Sequence, residues 1–303
     1  MPTSRTSTAS HHRVGLLFAL ATAVTWGLTG VWVKLLPGVS LLGVVTGRLF
    51  VALLVMLPLW LWQRRQSFYP QHANLRLTWG LSLMMVFYYG LAVVAFQAAP
   101  VAEATLLINS SPLFAVAYQL LRGVPTSRNE KVGVTLAMIG VGVIVLPELA
   151  KANGGGQSRL IGDACALASA GVMAAYSILY RRGAERGEDP APTAVATGTF
   201  AAGAPLLGMW LAQNPEEVAR VSSQGHLLAA LLTLGVISTV VPTFSYSAAS
   251  RRLPVVLTTT TRLMTPVFAA IFALVVLGEV PSVWLVPGGF LVLGGLYLTT
   301  RRR

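Results

Sequence analysis

Ten apolar runs of about 20 residues, bounded by charged residues or by Pro/Gly turns, decide what this chain can fold into. A helical run of that length matches the hydrocarbon thickness of a bilayer. The runs therefore read as ten candidate transmembrane helices. The runs are Val14–Leu35, Val39–Trp62, Leu75–Gln97, Ala102–Leu121 and Val132–Leu146, then Leu160–Tyr180, Pro192–Leu211, His226–Ala249, Val255–Leu277 and Val283–Thr300. The fifth is short, and the seventh is diluted by Gly198, Gly203 and Pro205. Only 11% of the 303 residues are charged, where a soluble domain carries about 25%, so there is too little polar surface to cover a water-facing globule. Residues 1–13 are polar and are expected to form a disordered leader. The run after them is too long for a secretory signal, carries Trp26 and Trp32, and lacks a small-residue cleavage pattern, so it reads as a retained first helix.

A net charge of +12 invites comparison with nucleic-acid binders, but the basic residues form no face or stripe of the kind such binding needs. They mark membrane topology instead. Alternate segments, starting from the N-terminus, hold Arg5 and Arg13, then Arg64, Arg65 and Arg76, then Arg122, Arg128 and Lys131, then Arg181, Arg182 and Arg186, then Arg251 and Arg252, and finally Arg301–Arg303. The opposite set holds only Lys34, Lys151, Arg159 and Arg220. Because cytoplasmic loops retain Lys and Arg, both termini are expected in the cytoplasm. The absence of long soluble domains points to a bacterial inner membrane. Cys165 is the only cysteine, which excludes an internal disulfide and a cysteine-based metal cluster.

The chain repeats itself. Gly15-(x)3-Ala19-Leu20-Ala21-Thr22-Ala23 recurs as Gly162-(x)3-Ala166-Leu167-Ala168-Ser169-Ala170, and Thr46-Gly47 as Thr197-Gly198. Pro100-Val101 followed after eleven residues by Pro112-Leu113-Phe114-Ala115 recurs as Pro254-Val255 and Pro266-Val267-Phe268-Ala269. Val124-Pro125 recurs as Val280-Pro281, and Gly133 and Gly140 recur as Gly288 and Gly295. Each half holds five spans, an odd number, so the halves insert upside down relative to each other. The expected fold is therefore all-α and polytopic, with ten transmembrane helices as two inverted five-helix repeats, residues 14–147 and 160–300, around a central cavity.

Trp26-Gly27 and Lys34 of the first helix, Arg48 of the second, Pro112-Leu113-Phe114, Pro266-Val267-Phe268-Ala269 and Leu277-Gly278-Glu279 resemble the drug/metabolite transporter superfamily, in its ten-helix type built from two EamA domains. The resemblance covers nearly the whole chain. It implies a cavity lined by helices one, three, four, six, eight and nine, with five and ten peripheral. The chain departs from the pattern at three places: Arg122-Gly123 stands where the second half has Gly278-Glu279, Thr199 stands opposite Arg48, and Arg262 occupies a position expected to be small or apolar.

An ionisable side chain inside a span costs at least about 2.5–3.5 kcal/mol at the helix centre, so each one calls for a functional reason. Arg262 leads, about 12 Å along its helix from Pro254, and its guanidinium could clamp a carboxylate or phosphate bidentately. Thr258 and Thr261 make the same stretch polar. Arg48 is expected to serve structure, because helix two should be peripheral. Glu103 opens helix four as a proton carrier, a gate partner or a residue placed by the helix dipole, while the dipole alone accounts for Asp163. Trp26, Tyr88, Tyr89, Gln97, Asn109, Gln119, Met173, Tyr176, Thr243 and Tyr246 are the further candidates for a pocket with a few orienting hydrogen bonds. Pro112, Pro242 and Pro266 interrupt the backbone ladder inside spans and are the candidate hinges or gates.

The reading that results is a secondary transporter, an exporter or exchanger of small metabolites such as amino acids or organic anions, working by alternating access. Efflux of amphipathic drugs is the alternative, disfavoured by a positive cavity. A non-transporting scaffold or a membrane-embedded enzyme is the next alternative; the enzyme lacks a buried histidine, an H-E-x-x-H motif or an acidic pair on one helix face. No metal and no cofactor are expected. The partners are a small-molecule substrate and the lipid bilayer, with no nucleic acid, and the chain is expected to be a monomer or weak homo-oligomer.

Overall fold

The computed structural model describes residues 4–65, 74–123, 127–151, 157–188, 192–250 and 261–300, and among these every regular element is a helix. The first span is α1 (Ser4–Gly27) continued after Leu28 by α2 (Thr29–Lys34). Spans two and three are α3 (Leu41–Arg65) and α4 (Leu75–Ala98), and span four is α5 (Val101–Ile108) with α6 (Ser111–Leu121). Span five is α7 (Arg128–Lys151) and span six is α8 (Gln157–Glu185). Span seven is α9 (Pro192–Ala202) with α10 (Ala204–Gln213), followed by a short helix α11 (Pro215–Ser223). Span eight joins α12 (Gly225–Gly235) through a π-helical turn at Val236–Val240 to α13 (Val241–Ser250). Span nine is α14 (Thr265–Phe272) ending in a second π-helical turn, Ala273–Leu277, and span ten is α15 (Leu285–Thr300). Eight stretches are long and apolar enough to cross a membrane, and two shorter apolar helices, Thr265–Leu277 and Leu285–Leu298, stand as the ninth and tenth.

Several boundaries differ from expectation for local reasons. The first helix begins at Ser4, inside the stretch expected to be a disordered leader, since extending an existing helix costs far less than nucleating one. The fifth span, expected to be short, runs 24 residues. Ser127 and Glu130 start it with a reciprocal capping box: the Ser127 N–H donates to Glu130 Oε2 (2.7 Å) and the Glu130 N–H to Ser127 Oγ (3.2 Å). The unforeseen α11 is fastened to the bundle by Glu217, whose Oε1 accepts from the N–H and Oγ of Ser40 and from Trp210 Nε1.

Two of the candidate prolines stand beside irregular turns in matched places. In span four the ladder tightens at Asn109–Ser110, with Ser110 N–H donating to Leu107 O (3.1 Å), just before Pro112. In span nine it tightens at the turn before Pro266, with Met264 N–H donating to Thr261 O (3.0 Å). These are equivalent residues of the two repeats, and each break lies where a proline lacks the N–H to continue the ladder. Pro242 stands in the first turn of α13, directly after the π-helical turn.

Exchanging the halves maps the packing onto itself. Span one lies on span eight as span six lies on span three, span two on span eight as span seven on span three, and span four on span six as span nine on span one. Spans five and ten pair with each other through α7 and α15. Their repeated glycines make that approach possible. A Cβ on Gly140 would lie 2.7 Å from Gly288 O, one on Gly288 would lie 2.9 Å from Gly140 O, and one on Gly295 would collide with Gly133 O.

Candidate functional site

A cavity of about 600 Å³ opens between the halves. The first half lines it with Trp26, Thr29, Arg48, Met85, Tyr88, Tyr89, Ala92, Phe96, Thr105, Ile108 and Asn109. The second half supplies Met173, Tyr176, Ser177, Tyr180, Val195, Ala196, Thr199, Phe200, Thr243, Tyr246, Arg262 and Thr265. No residue of α7 or α15 reaches it, in keeping with their peripheral packing, whereas spans two and seven contribute through Arg48 and through α9. Equivalent positions of the two repeats belong to the lining together: Trp26 and Met173, Arg48 and Thr199, and Ile108 and Arg262.

Of the residues singled out from sequence, the cavity brings together Arg262, Trp26, Tyr88, Tyr89, Asn109, Met173, Tyr176, Thr243 and Tyr246. Gln97 does not belong to the lining; it lies exposed near the end of α4 and its amide donates to Val39 O (3.3 Å). Glu103 is withdrawn as well, 1% exposed and engaged in an ion pair with Arg159 of α8. Gln119 and Thr261 are half-buried outside the lining, and Thr258 lies outside the described residues. Arg48 is the main residue that sequence reasoning set aside. A positive residue seven positions into a span was the available signal, but the face it occupies depends on how span two packs.

The two arginines are held differently. Arg48 is 2% exposed; its Nε and Nη2 donate to Thr239 Oγ1 (3.1 and 2.9 Å), Nη2 also donates to Ser238 O (3.3 Å), and its Cζ lies 4.5 Å from the centre of the Tyr89 ring. Both partners belong to the first π-helical turn. There Thr239 Oγ1 reaches back to Leu234 O, five residues earlier, and the widened turn turns its hydroxyl and the Ser238 carbonyl toward Arg48. Among the described residues Arg262 is held by ring faces, 4.9 Å from the Trp26 ring and 5.5 Å from that of Tyr246. Those two rings are themselves 5.8 Å apart. Cation–π contact orients a guanidinium without using its N–H donors. No acidic side chain lines the cavity among the described residues.

The two ends of the bundle are unlike. Where α2 finishes, Lys34 Nζ lies 3.3 Å from Glu279 Oε1, and Glu279 Oε2 accepts the Val101 N–H at 2.9 Å. With the Glu103–Arg159 pair this makes two ionic ties between the halves at one end. At the opposite end the position matching Glu279 is Gly123, and Arg122 and Arg182 both donate to Tyr118 Oη (3.2 and 2.7 Å). One end is joined by opposite charges, whereas like charges crowd the other.

A family model, the EamA-like transporter family, matches residues 13–146 and again residues 160–301. No curated protein matches. Among solved structures, a crystal structure described only as that of a protein is 18% identical, with 95% of this chain and 97% of that chain covered and a TM-score of 0.61. At that identity the likeness speaks for the fold alone.

Proposed function

The chain belongs to the EamA-like transporter family, and from that premise we propose that it exports or exchanges small anionic metabolites, amino acids or organic anions, by alternating access between its two inverted repeats. The observation that carries the reading is the cavity lined by Arg48 and Arg262 with no acidic side chain among its described lining residues. Arg262 lines that space, oriented by ring contacts that do not use its N–H donors, and is the proposed anion contact. A lipophilic cation would meet two fixed positive charges there, which disfavours drug efflux. The distribution of Lys and Arg supports cytoplasmic termini, so that the Lys34–Glu279 end faces outward.

Thermal unfolding of the purified protein in detergent, against amino acids, organic acids, phosphorylated metabolites and cationic drugs, tests this. A ligand at about one hundred times its Kd stabilises the native state by about 2.7 kcal/mol. Anionic or zwitterionic compounds are expected to raise the midpoint in wild type and to lose the effect in Arg262→Gln. Stabilisation by lipophilic cations in both proteins would favour drug efflux instead.

The ionic ties at the Lys34 end are proposed to keep that side closed in this conformation. In a Cys165→Ala background carrying Thr29→Cys, a membrane-impermeant thiol reagent added from the Lys34 side should react about fivefold faster once Lys34→Gln removes one tie worth about 1 kcal/mol. An unchanged labelling rate would deny these pairs any part in closure.

A further inference from the structure

We propose that the ligand is a dianion with two separated negative groups, bridged between Arg48 of the first repeat and Arg262 of the second, so that Arg48 is itself a binding residue. The proposal rests on the reading of the cavity as an anion site and deepens it.

Arg48 and Arg262 come one from each half, at positions whose counterparts are the neutral Thr199 and Ile108, and all four side chains line the cavity. Each arginine thus lacks a charged counterpart at the equivalent position of the other repeat. Neither has an acidic partner among the described residues: Arg48 bonds only a hydroxyl and a backbone carbonyl, and Arg262 touches two rings. Neutral groups orient a guanidinium but leave its charge in place. Tyr88 lines the same cavity as both arginines, so the pair borders one shared space.

Closing such a cavity around two uncompensated charges removes water from both, and desolvating an unpaired charge is strongly unfavourable. A monoanion would leave one guanidinium unpaired. A two-headed anion neutralises both and ties the two repeats through its own skeleton, so that binding and closure draw on the same contacts. The Arg122 and Arg182 guanidiniums at the opposite end from Lys34 would draw such a ligand toward the cavity by long-range attraction that weakens with added salt.

Affinities measured in detergent for butyrate against succinate, and for benzoate against terephthalate, hold the skeleton constant while adding one carboxylate. Glycerol 3-phosphate supplies a double charge on a single group. One further charge-assisted contact corresponds to about tenfold or more in affinity, so wild type should favour each dicarboxylate over its monocarboxylate by at least about that factor. The ratio should fall to near one in Arg262→Gln and in Arg48→Gln, and should be retained in Arg262→Lys and Arg48→Lys. If Arg48→Gln does not fold, the ratio in Arg262→Gln and in Arg48→Lys still decides the matter. Equal binding of mono- and dicarboxylates by wild type would overturn the dianion while leaving the anion reading intact. A preference for glycerol 3-phosphate with weak dicarboxylate binding would overturn the two-headed form, and no binding of any anion would defeat the underlying reading itself.

Discussion

Replacing Arg262 with alanine is expected to cut anion flux into proteoliposomes by about ten- to a hundredfold while leaving membrane yield and thermal midpoint nearly unchanged. The flux figure follows from losing one charge-assisted hydrogen bond, worth about 1.5–3 kcal/mol. The stability figure follows from how the residue is held. Arg262 contacts the Trp26 and Tyr246 rings, contacts worth about 0.5–1 kcal/mol each at exposed sites, and its removal also relieves the cost of a charge inside a span. Arg48 makes the contrast, because its bonds to Thr239 and Ser238 join spans two and eight, and truncating it strips those partners as well. Wild-type flux in Arg262→Ala, at normal expression, would remove this residue from the binding machinery.

The second large effect is expected far from the cavity. Gly295→Leu should abolish folded protein in the membrane or lower its thermal midpoint severely, because the new side chain would be driven into the backbone of α7 at Gly133 and Ala137. Overpacking a closely fitted contact costs about 1–3 kcal/mol even where side chains can yield, and here the obstacle is backbone. The adjacent Gly294 is the control: its nearest neighbour, Leu136 Cδ2, is 3.8 Å from a built Cβ, so Gly294→Ala should be silent. Fluorescence-detected size-exclusion of both variants would show it, and a monodisperse, stable Gly295→Leu protein would contradict the packing of α7 on α15.

Much of this architecture was legible because its determinants are short-range. Run length fixes a span, the Lys and Arg bias sets an expected orientation, and repeated Pro and Gly positions expose the internal symmetry. Pro112 and Pro266 announce their own helix breaks, and the matched glycines announce a close helix pair. The site was legible where a residue type has few uses inside a membrane, as with Arg262 and the aromatic residues of α4. It was left open where the deciding partner lies on another span or in a loop distant in sequence. Glu103 reads equally as a proton carrier, a gate partner or a residue placed by the helix dipole until its pairing with Arg159, 56 residues away, is seen. Arg48 reads as peripheral until the π-helical turn at Val236–Val240 presents Thr239 to it, and no local pattern announces a widened turn. Gln97, near the end of α4, could face the cavity or a neighbouring loop with equal local logic, and its bond to Val39 O decides for the loop.

The placement of one guanidinium on each repeat, with no counter-charge in the described lining, carries a consequence for energetics across the membrane. In the alternating access proposed above, charge bound to the halves would move through part of the transmembrane field, and a full elementary charge crossing 100 mV is worth about 2.3 kcal/mol. An empty cavity bearing two positive charges would be subject to that work, whereas a cavity neutralised by the proposed dianion would not. Voltage would then behave as a second ligand of the empty protein, holding its cavity toward the negative side of the membrane until an anion releases it.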